Sequence, residues 1–140
     1  MTLVFFVFIF VFVLVFSAIS CVFRALNYAN LKLTKGEGMQ IQSKVAKDVL
    51  YVLVKGELDE YSAGYCRQEL DKLFDQSGFS QVVVDLSALD FMDSTGIGML
   101  IGRYKKLKAR NIPIYICNPS KQAEKIFKMS GLYQLMPKIV

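Results

Sequence analysis

The sequence contains no histidine among its 140 residues. This absence excludes Ser-His-Asp and Cys-His catalysis and the common histidine metal sites. Cysteine is also scarce. The three cysteines, Cys21, Cys66 and Cys117, lie far apart and form no C-x-x-C pair. Neither a zinc site nor a disulfide framework is therefore predicted. We expect Cys66 and Cys117 to be buried as small hydrophobic residues in a reducing compartment.

The basic and acidic side chains are nearly balanced, so they do not indicate a nucleic-acid-binding protein. The phosphate-binding motifs are too incomplete to indicate an enzyme. From Met39 onward, 14 basic side chains accompany 11 acidic ones, and no basic block alternates with aromatic residues. The Walker A phosphate loop is absent, and Gly96-x-Gly98 is only a fragment of a nucleotide-binding fingerprint. We therefore expect no metal, cofactor, nucleic acid or catalytic activity. A nucleotide-binding or nucleotide-hydrolysing domain is the enzyme alternative, which a nucleotide titration would test.

Long hydrophobic runs are confined to the first 38 residues. Leu3–Phe23 carries no charge and is long enough to span a bilayer, for which about 20 apolar residues are needed. Arg24, Lys32 and Lys35 follow it, so the positive-inside rule would place the remaining chain in the cytoplasm. A secretory signal is not favoured, because a basic n-region is missing.

A second interpretation of residues 1–38 is that they are not part of the native product. Lys35-Gly36-Glu37-Gly38 is what a purine run resembling a ribosome-binding site would encode directly before Met39. We hypothesise that translation starts at Met39 and yields a cytoplasmic protein of residues 39–140. The alternative is a membrane anchor with the same domain in the cytoplasm.

Residue patterns from Met39 onward predict one α/β domain. The predicted strands are Gln40–Ala46, Val49–Lys55, Gln81–Leu86, Pro113–Cys117 and Tyr133–Val140. The predicted helices follow a cap at Asp59, run from the Ser94 loop to about Ala109, and run from Asn118 and Pro119 to Gly131. The order β-β-α-β-α-β-α-β predicts a mixed β-sheet with helices packed on it.

Two of these helices carry packing signals. In the first, Ala63, Cys66, Leu70, Leu73 and Phe74 form one apolar face. In the second, Gly98 and Gly102 each cost about 1 kcal/mol relative to alanine. We expect these glycines to permit close packing on the sheet, with contact to a partner as the alternative.

The start of the second helix is the most informative part of the chain. Asp93 follows a buried strand and precedes a glycine-rich helix, which makes it a candidate N-cap. Ser94 then falls in the first turn, where backbone N–H groups lack partners within the helix. A phosphate on Ser94 would be held by the helix dipole and would add about −1.5 to −2 charges to the surface.

The segment from Asp90 to Lys105, Asp-Phe-Met-Asp-Ser-Thr-Gly-Ile-Gly-Met-Leu-Ile-Gly-Arg-Tyr-Lys, closely resembles the phosphoserine segment of anti-sigma factor antagonists. These are bacterial members of the STAS domain family, and the sporulation type is the most similar. Gly56-Glu57-Leu58-Asp59 and Met129-Ser130-Gly131-Leu132 match it in the same order. The resemblance covers roughly Met39 to Val140 and implies a STAS-like mixed β-sheet.

The resemblance also implies a partner-switching cycle. The unmodified domain would bind an anti-sigma factor that is itself a serine kinase, and would thereby release a sigma factor. The kinase would phosphorylate the serine matching Ser94 and separate the complex, and a PP2C-type phosphatase would restore binding. A membrane-tethered STAS regulatory module, associated with a transporter or similar, is the alternative if residues 1–38 are genuine.

The residues implied in partner binding surround Ser94. They are Asp59, Met92, Asp93, Ser94, Thr95 and Gly96. For Asp59 the alternative role is the cap of the first helix, and for Thr95 it is a capping hydroxyl. Phe91 is expected in the core.

Overall fold

A computed structural model describes residue 4, residues 32–36 and residues 38–139. The predictions for Leu3–Phe23 and Cys21 therefore concern residues outside the described part, apart from Val4. Within the residues that are described, no helix is both long and apolar enough to cross a membrane.

Strands and helices alternate along most of the described chain. The strands are β1 (Lys32–Gly36), β2 (Met39–Ala46), β3 (Val49–Leu58), β4 (Gln81–Asp85), β5 (Leu89–Met92), β6 (Ile114–Cys117) and β7 (Lys138–Ile139). The helices are α1 (Ala63–Phe74), α2 (Ser94–Ala109) and α3 (Lys121–Ser130), and a 3₁₀ turn follows at Leu132–Gln134.

The sheet mixes antiparallel and parallel strands, as predicted. Its order is β1-β2-β3-β4-β6-β7, and β5 pairs with β3 beside this path. β1, β2 and β3 are antiparallel neighbours, whereas β3, β4, β6 and β7 are parallel. β3 lies centrally in the sheet, and Val49–Val54 are all buried. β7 lies at an edge, where the nearby Pro137 is tolerated.

The main hydrophobic core lies between one face of the sheet and the three helices. It joins Val52, Val84 and Ile116 of the strands to Phe74 of α1 and Phe127 of α3. The apolar face predicted for α1 is confirmed, because its five members are the buried residues of that helix. Cys66 and Cys117 are buried free thiols, also as predicted.

Five elements differ from the sequence prediction. β1 and β5 were not expected, and β3 continues through Gly56 to Leu58. The last strand, predicted over Tyr133–Val140, is confined to β7 at Lys138–Ile139, because a 3₁₀ turn occupies Leu132–Gln134. The predicted cap of α3 at Asn118 is wrong: Ser120 is the N-cap, and its side chain accepts a hydrogen bond from the Ala123 N–H. Asn118 has a φ of 45°, a left-handed conformation that asparagine tolerates, so the chain turns there before the helix begins.

The expected role of the glycines in α2 is also wrong. A Cβ at Gly98 or Gly102 would meet no atom within 4 Å, so neither glycine permits close packing on the sheet. Gly96 has this role instead, because a Cβ there would lie 2.7 Å from the Leu58 carbonyl oxygen and 2.8 Å from Met92 Cγ. The start of α2 thus packs tightly against β3 and β5, while Gly98 is exposed.

Candidate functional site at the start of helix α2

The candidate site lies where two neighbouring parallel strands end. Leu58, the last residue of β3, pairs with Met92, the last residue of β5. Asp59 directly follows β3 and Asp93 directly follows β5, so both residues lie at the same edge of the sheet. The Asp93 N–H donates to the Leu58 carbonyl oxygen at 3.2 Å and continues this pairing by one hydrogen bond.

Asp93 caps α2 and also holds the neighbouring turn. Its Oδ1 accepts a hydrogen bond from the Gly96 N–H at 2.9 Å, which confirms the predicted N-cap. Its Oδ2 accepts from the Glu60 N–H at 3.2 Å. One carboxylate therefore fixes both the first turn of α2 and the turn that follows β3.

Asp59 organises the turn that leads into α1. Its Oδ1 accepts from the backbone N–H groups of Tyr61 at 3.0 Å and Ser62 at 2.9 Å. These hydrogen bonds, with Ser62 first, hold the pKa of the Asp59 carboxyl below its usual value. The prediction that Asp59 is the N-cap of α1 is wrong: the N-cap is Ser62, and Asp59 instead holds the turn that precedes the helix, because its carboxylate accepts the N–H groups of Tyr61 and Ser62.

Ser62 is a site residue that the sequence analysis missed. It is buried, and its Oγ donates to the Glu57 carbonyl oxygen at 2.6 Å and receives the Asp59 N–H at 2.9 Å. A buried hydroxyl needs such partners, and here they tie the turn to the end of β3. A serine three residues after an aspartate fits a local side-chain turn, but nothing in the sequence separates this pattern from a surface one.

Ser94 and Thr95 are both exposed at the beginning of α2. Ser94 is the first helical residue, as predicted, and its hydroxyl hydrogen-bonds to none of the described residues. The first turn of α2 contains no acidic residue. An anion attached to Ser94 would therefore meet the positive end of the helix dipole, next in the sequence to the Asp93 carboxylate.

Phe91 and Met92 exchange the positions that the sequence predicted. Phe91, expected in the core, is 48% exposed, whereas Met92, expected to contact a partner, is 4% exposed. The pairing of β5 with β3 shifts register between Gly56 and Glu57, so that Asp90 is bulged out of the ladder. Phe91 then pairs with exposed Glu57, while Met92 pairs with buried Leu58.

The accessible surface around Ser94 is acidic and aromatic. Tyr61 is 94% exposed and belongs to the turn that Asp93 holds. Three acidic residues are exposed as well: Glu57 in β3, Glu60 in the turn after β3, and Asp90 in β5. Gly96 and Met92 are both buried, so they pack beneath this surface and cannot contact a partner directly. The exposed residues brought to this edge are Ser94, Thr95, Tyr61, Phe91, Glu57, Glu60 and Asp90.

The described residues include no group of three His, Cys, Asp or Glu side chains arranged to hold a metal ion. The Asp59 and Asp93 carboxylates of the site accept hydrogen bonds from backbone N–H groups.

Comparison with known proteins identifies similar sequences and structures. The family model for the STAS domain matches residues 40–140. The anti-sigma F factor antagonist of Paenibacillus polymyxa is 31% identical over 99 residues, which cover 71% of this chain and 85% of that protein. The anti-sigma-B factor antagonist of Staphylococcus epidermidis is 33% identical over 98 residues, 70% of this chain and 90% of that protein.

Solved structures of one anti-sigma factor antagonist, SpoIIAA, share the fold in two chemical states. The unphosphorylated form superposes with a TM-score of 0.57 at 26% identity and covers 79% of this chain and 88% of its own. The phosphorylated form, from Bacillus, superposes with a TM-score of 0.52 at 26% identity and covers 79% of this chain and 91% of its own.

Proposed function

This chain belongs to the STAS domain family, and on that premise we propose that it is an anti-sigma factor antagonist switched by phosphorylation of Ser94. The unphosphorylated domain binds an anti-sigma factor serine kinase in the cytoplasm and releases the sigma factor that the kinase had sequestered. Phosphorylation of Ser94 ends the complex, and a PP2C-type phosphatase restores it. The domain has no catalytic role of its own in this cycle.

The single observation that carries the proposal is the state of the Ser94 hydroxyl. It is exposed, it has no hydrogen-bond partner among the described residues, and it begins a helix whose cap is already provided by Asp93. The hydroxyl is therefore not needed to hold the fold. A kinase can modify it without breaking an internal contact, and the supporting loops keep its position fixed.

The unmodified surface suits protein binding. Tyr61 and Phe91 offer exposed aromatic area, and aromatic side chains are enriched at the centres of protein interfaces. The neighbouring turn is held by Asp93 and Ser62, so few backbone torsions would be frozen when a partner binds.

Phosphorylation would change the same surface in two ways. A phosphoserine carries about −1.5 to −2 charges at neutral pH, and enclosing that charge in an interface requires removal of its water. The new charge also lies beside the Asp93 carboxylate, which is only partly buried. A loss of about 3 kcal/mol is enough for separation, since each 1.4 kcal/mol changes affinity tenfold.

The test is a phosphotransfer assay with the anti-sigma factor kinase of the same cells, ATP and three forms of the protein. We expect the natural chain and Thr95→Ala to accept one phosphate, and Ser94→Ala to accept none while it still binds the kinase. Thr95→Ala is the matched control, because Thr95 is also an exposed residue with a hydroxyl in the same turn. Phosphate incorporation into Ser94→Ala at the natural rate would refute the assignment of Ser94.

A further inference from the structure

A groove lies where the end of α2 meets the start of β6 and the segment that leads into β7. Its volume is about 380 Å³, within the range of about 300 to 1,000 Å³ that is typical of small-molecule sites. Its apolar lining includes Ile112, Ile114, Leu135 and Pro137. Its polar groups include those of Tyr104 and Lys108 in α2 and of Asn111 after it. A mostly apolar lining with a few polar side chains is the usual composition of a ligand site.

The groove is distinct from the candidate site at Ser94. α2 has 16 residues, so at a rise of about 1.5 Å per residue its two ends lie about 24 Å apart. Ser94 lies at the first end, and the groove adjoins the last turns. Ligand binding in the groove therefore goes beyond the proposed function and does not depend on the phosphorylation of Ser94.

Backbone hydrogen bonds hold two sides of the groove in place. The Ile112 N–H donates to the Leu107 carbonyl oxygen at 3.0 Å, which fixes the connection between α2 and β6. The Ile116 N–H donates to the Pro137 carbonyl oxygen at 2.9 Å, which ties the segment before β7 to β6. Ile112 and Ile114 also belong to the main core. A ligand would therefore enter a preformed groove, at a small cost in conformational entropy.

Lys108 gives the groove a positive charge. Among the described residues that line the groove, it is the only charged one. Its Nζ lies 5.7 Å from the centroid of the Tyr104 ring, in a cation–π contact with another residue of the lining. Lys108 forms no salt bridge with any residue that the structure describes. Its ammonium is therefore available to an anionic ligand.

Asn111 adds a hydrogen-bond donor close to this charge. It follows α2 with a φ of 56°, a left-handed conformation that asparagine tolerates. Its backbone N–H donates to the Lys108 carbonyl oxygen at 3.0 Å, so the two residues belong to one tight turn. Its side chain is exposed and hydrogen-bonds to none of the described residues. Because an amide N–H and an ammonium both donate, these polar groups suit a carboxylate.

We infer that the groove binds a small amphipathic acid, a molecule with an apolar body and one carboxylate. The body contacts Ile112, Ile114 and Leu135, and the carboxylate pairs with Lys108 and accepts a hydrogen bond from the Asn111 amide. A cationic ligand would be repelled by Lys108. A phosphate monoester would bring about −1.5 to −2 charges against a single ammonium. One negative charge on an apolar body matches the lining.

A methyl NMR titration of the full chain with 3-phenylpropionate tests this inference, with 3-phenylpropan-1-ol as the uncharged control. We expect saturable chemical-shift changes at the methyl groups of Ile112, Ile114 and Leu135. The acid should bind about fivefold more tightly than the alcohol, because only the acid pairs with the ammonium. The absence of saturable shifts at these methyl groups, or equal affinity for the two compounds, would overturn the inference.

Two lysine variants separate the groove from the general charge of the protein. Lys108→Gln removes the ammonium and should lower the affinity for 3-phenylpropionate about fivefold, with the affinity for the alcohol unchanged. Lys105→Gln is the matched control and should change neither affinity, because Lys105 is an exposed lysine of the same helix that does not line the groove. Equal losses in the two variants would show that net charge attracts the acid, and would also overturn the inference.

Asn111→Asp provides an independent test if Lys108→Gln disturbs the end of α2. Aspartate also tolerates the left-handed conformation, and its carboxylate would repel the acid. Binding of 3-phenylpropionate should therefore fall about fivefold or more, while the alcohol binds as before. Unchanged binding of the acid to this folded variant would contradict the assignment of the groove.

Discussion

Helices α2 and α3 begin in the same way but leave different groups at the surface. In each, the N-cap side chain accepts the N–H of the residue three positions later: Asp93 from Gly96 at 2.9 Å, and Ser120 from Ala123 at 3.1 Å. In α3 the serine itself is the cap, and its Oγ also donates to the Leu89 carbonyl oxygen at 2.6 Å. In α2 an aspartate is the cap, and the Ser94 hydroxyl hydrogen-bonds to none of the residues that the structure describes.

The first turns also differ in charge. Glu124 lies in the first turn of α3 and is bound by Tyr133, Lys128 and Lys138. The first turn of α2 has no acidic residue. Each helix start thus carries one anionic side chain, which is the N-cap Asp93 in α2 and the first-turn Glu124 in α3. Capping alone therefore does not distinguish the two helix starts. They differ in that the Ser94 hydroxyl at the start of α2 hydrogen-bonds to none of the described residues, whereas the Ser120 hydroxyl is engaged.

The largest expected effect is a loss of partner binding when a negative charge is added at the start of α2, but not at the start of α3. Ser94→Asp should weaken binding to the anti-sigma factor at least 100-fold, which corresponds to about 3 kcal/mol. Lys121→Asp places the same side chain at the same helical position of α3 and should change affinity less than threefold. Titration calorimetry with both variants checks this. Equal losses would show that general charge, and not the position of Ser94, controls binding.

The glycines of α2 should show opposite effects on stability. Gly96→Ala places a Cβ 2.7 Å from the Leu58 carbonyl oxygen and should lower the free energy of unfolding by about 1 to 3 kcal/mol. Gly98→Ala meets no atom within 4 Å and should raise it by up to about 1 kcal/mol, because alanine favours the helix. Urea unfolding of both variants measures the difference, and a stabilising Gly96→Ala would disprove the tight packing at this turn.

Removing each cap should separate stability from binding. Asp93→Ala and Ser120→Ala should each cost about 1 kcal/mol of unfolding free energy through the lost cap. Each variant also loses a second hydrogen bond, the one from the Glu60 N–H in Asp93→Ala and the one to the Leu89 carbonyl oxygen in Ser120→Ala. Only Asp93→Ala should weaken partner binding, since it releases the turn at Glu60. Loss of binding in the Ser120 variant, measured on folded protein, would contradict this division.

The acid at the start of α3 predicts a pH dependence of stability. The Tyr133 hydroxyl, with Lys138 and Lys128, lowers the pKa of Glu124 to about 2, from an ordinary value of 4.5. Its contribution to stability is therefore complete above about pH 4.5 and lost as pH falls towards 2. Glu124→Gln should flatten the decline of the unfolding midpoint over that range. An unchanged pH profile would mean that these contacts do not persist in solution.

Much of the fold follows from residue patterns, but the structure of the candidate site does not. The α1 face and the extent of α2 are readable because helical periodicity and the Asp93 cap act locally. The positions of Phe91 and Met92 depend on a bulge against β3, a strand more than 30 residues earlier. A four-residue strand with a bulge has no period that could reveal which of its side chains is buried.

The contacts between the two loops were also hidden from the sequence. The Glu60 N–H reaches Asp93 because β3 and β5 are adjacent, although 33 residues separate the two groups. The resemblance to anti-sigma factor antagonists placed Ser94 and Asp59 in one region, but it gave no indication that Tyr61 is almost fully exposed. Exposure of a single turn residue depends on how its backbone is held, here by Asp59 and Asp93.

The most direct test of the central claim is phosphopeptide mapping of the protein isolated from its own cells. We predict that a fraction of the molecules carries one phosphate, on Ser94, and that this fraction is absent from the protein that copurifies with the anti-sigma factor. A phosphate on Thr95 or Ser120 instead, or phosphorylated Ser94 within the bound complex, would contradict the account.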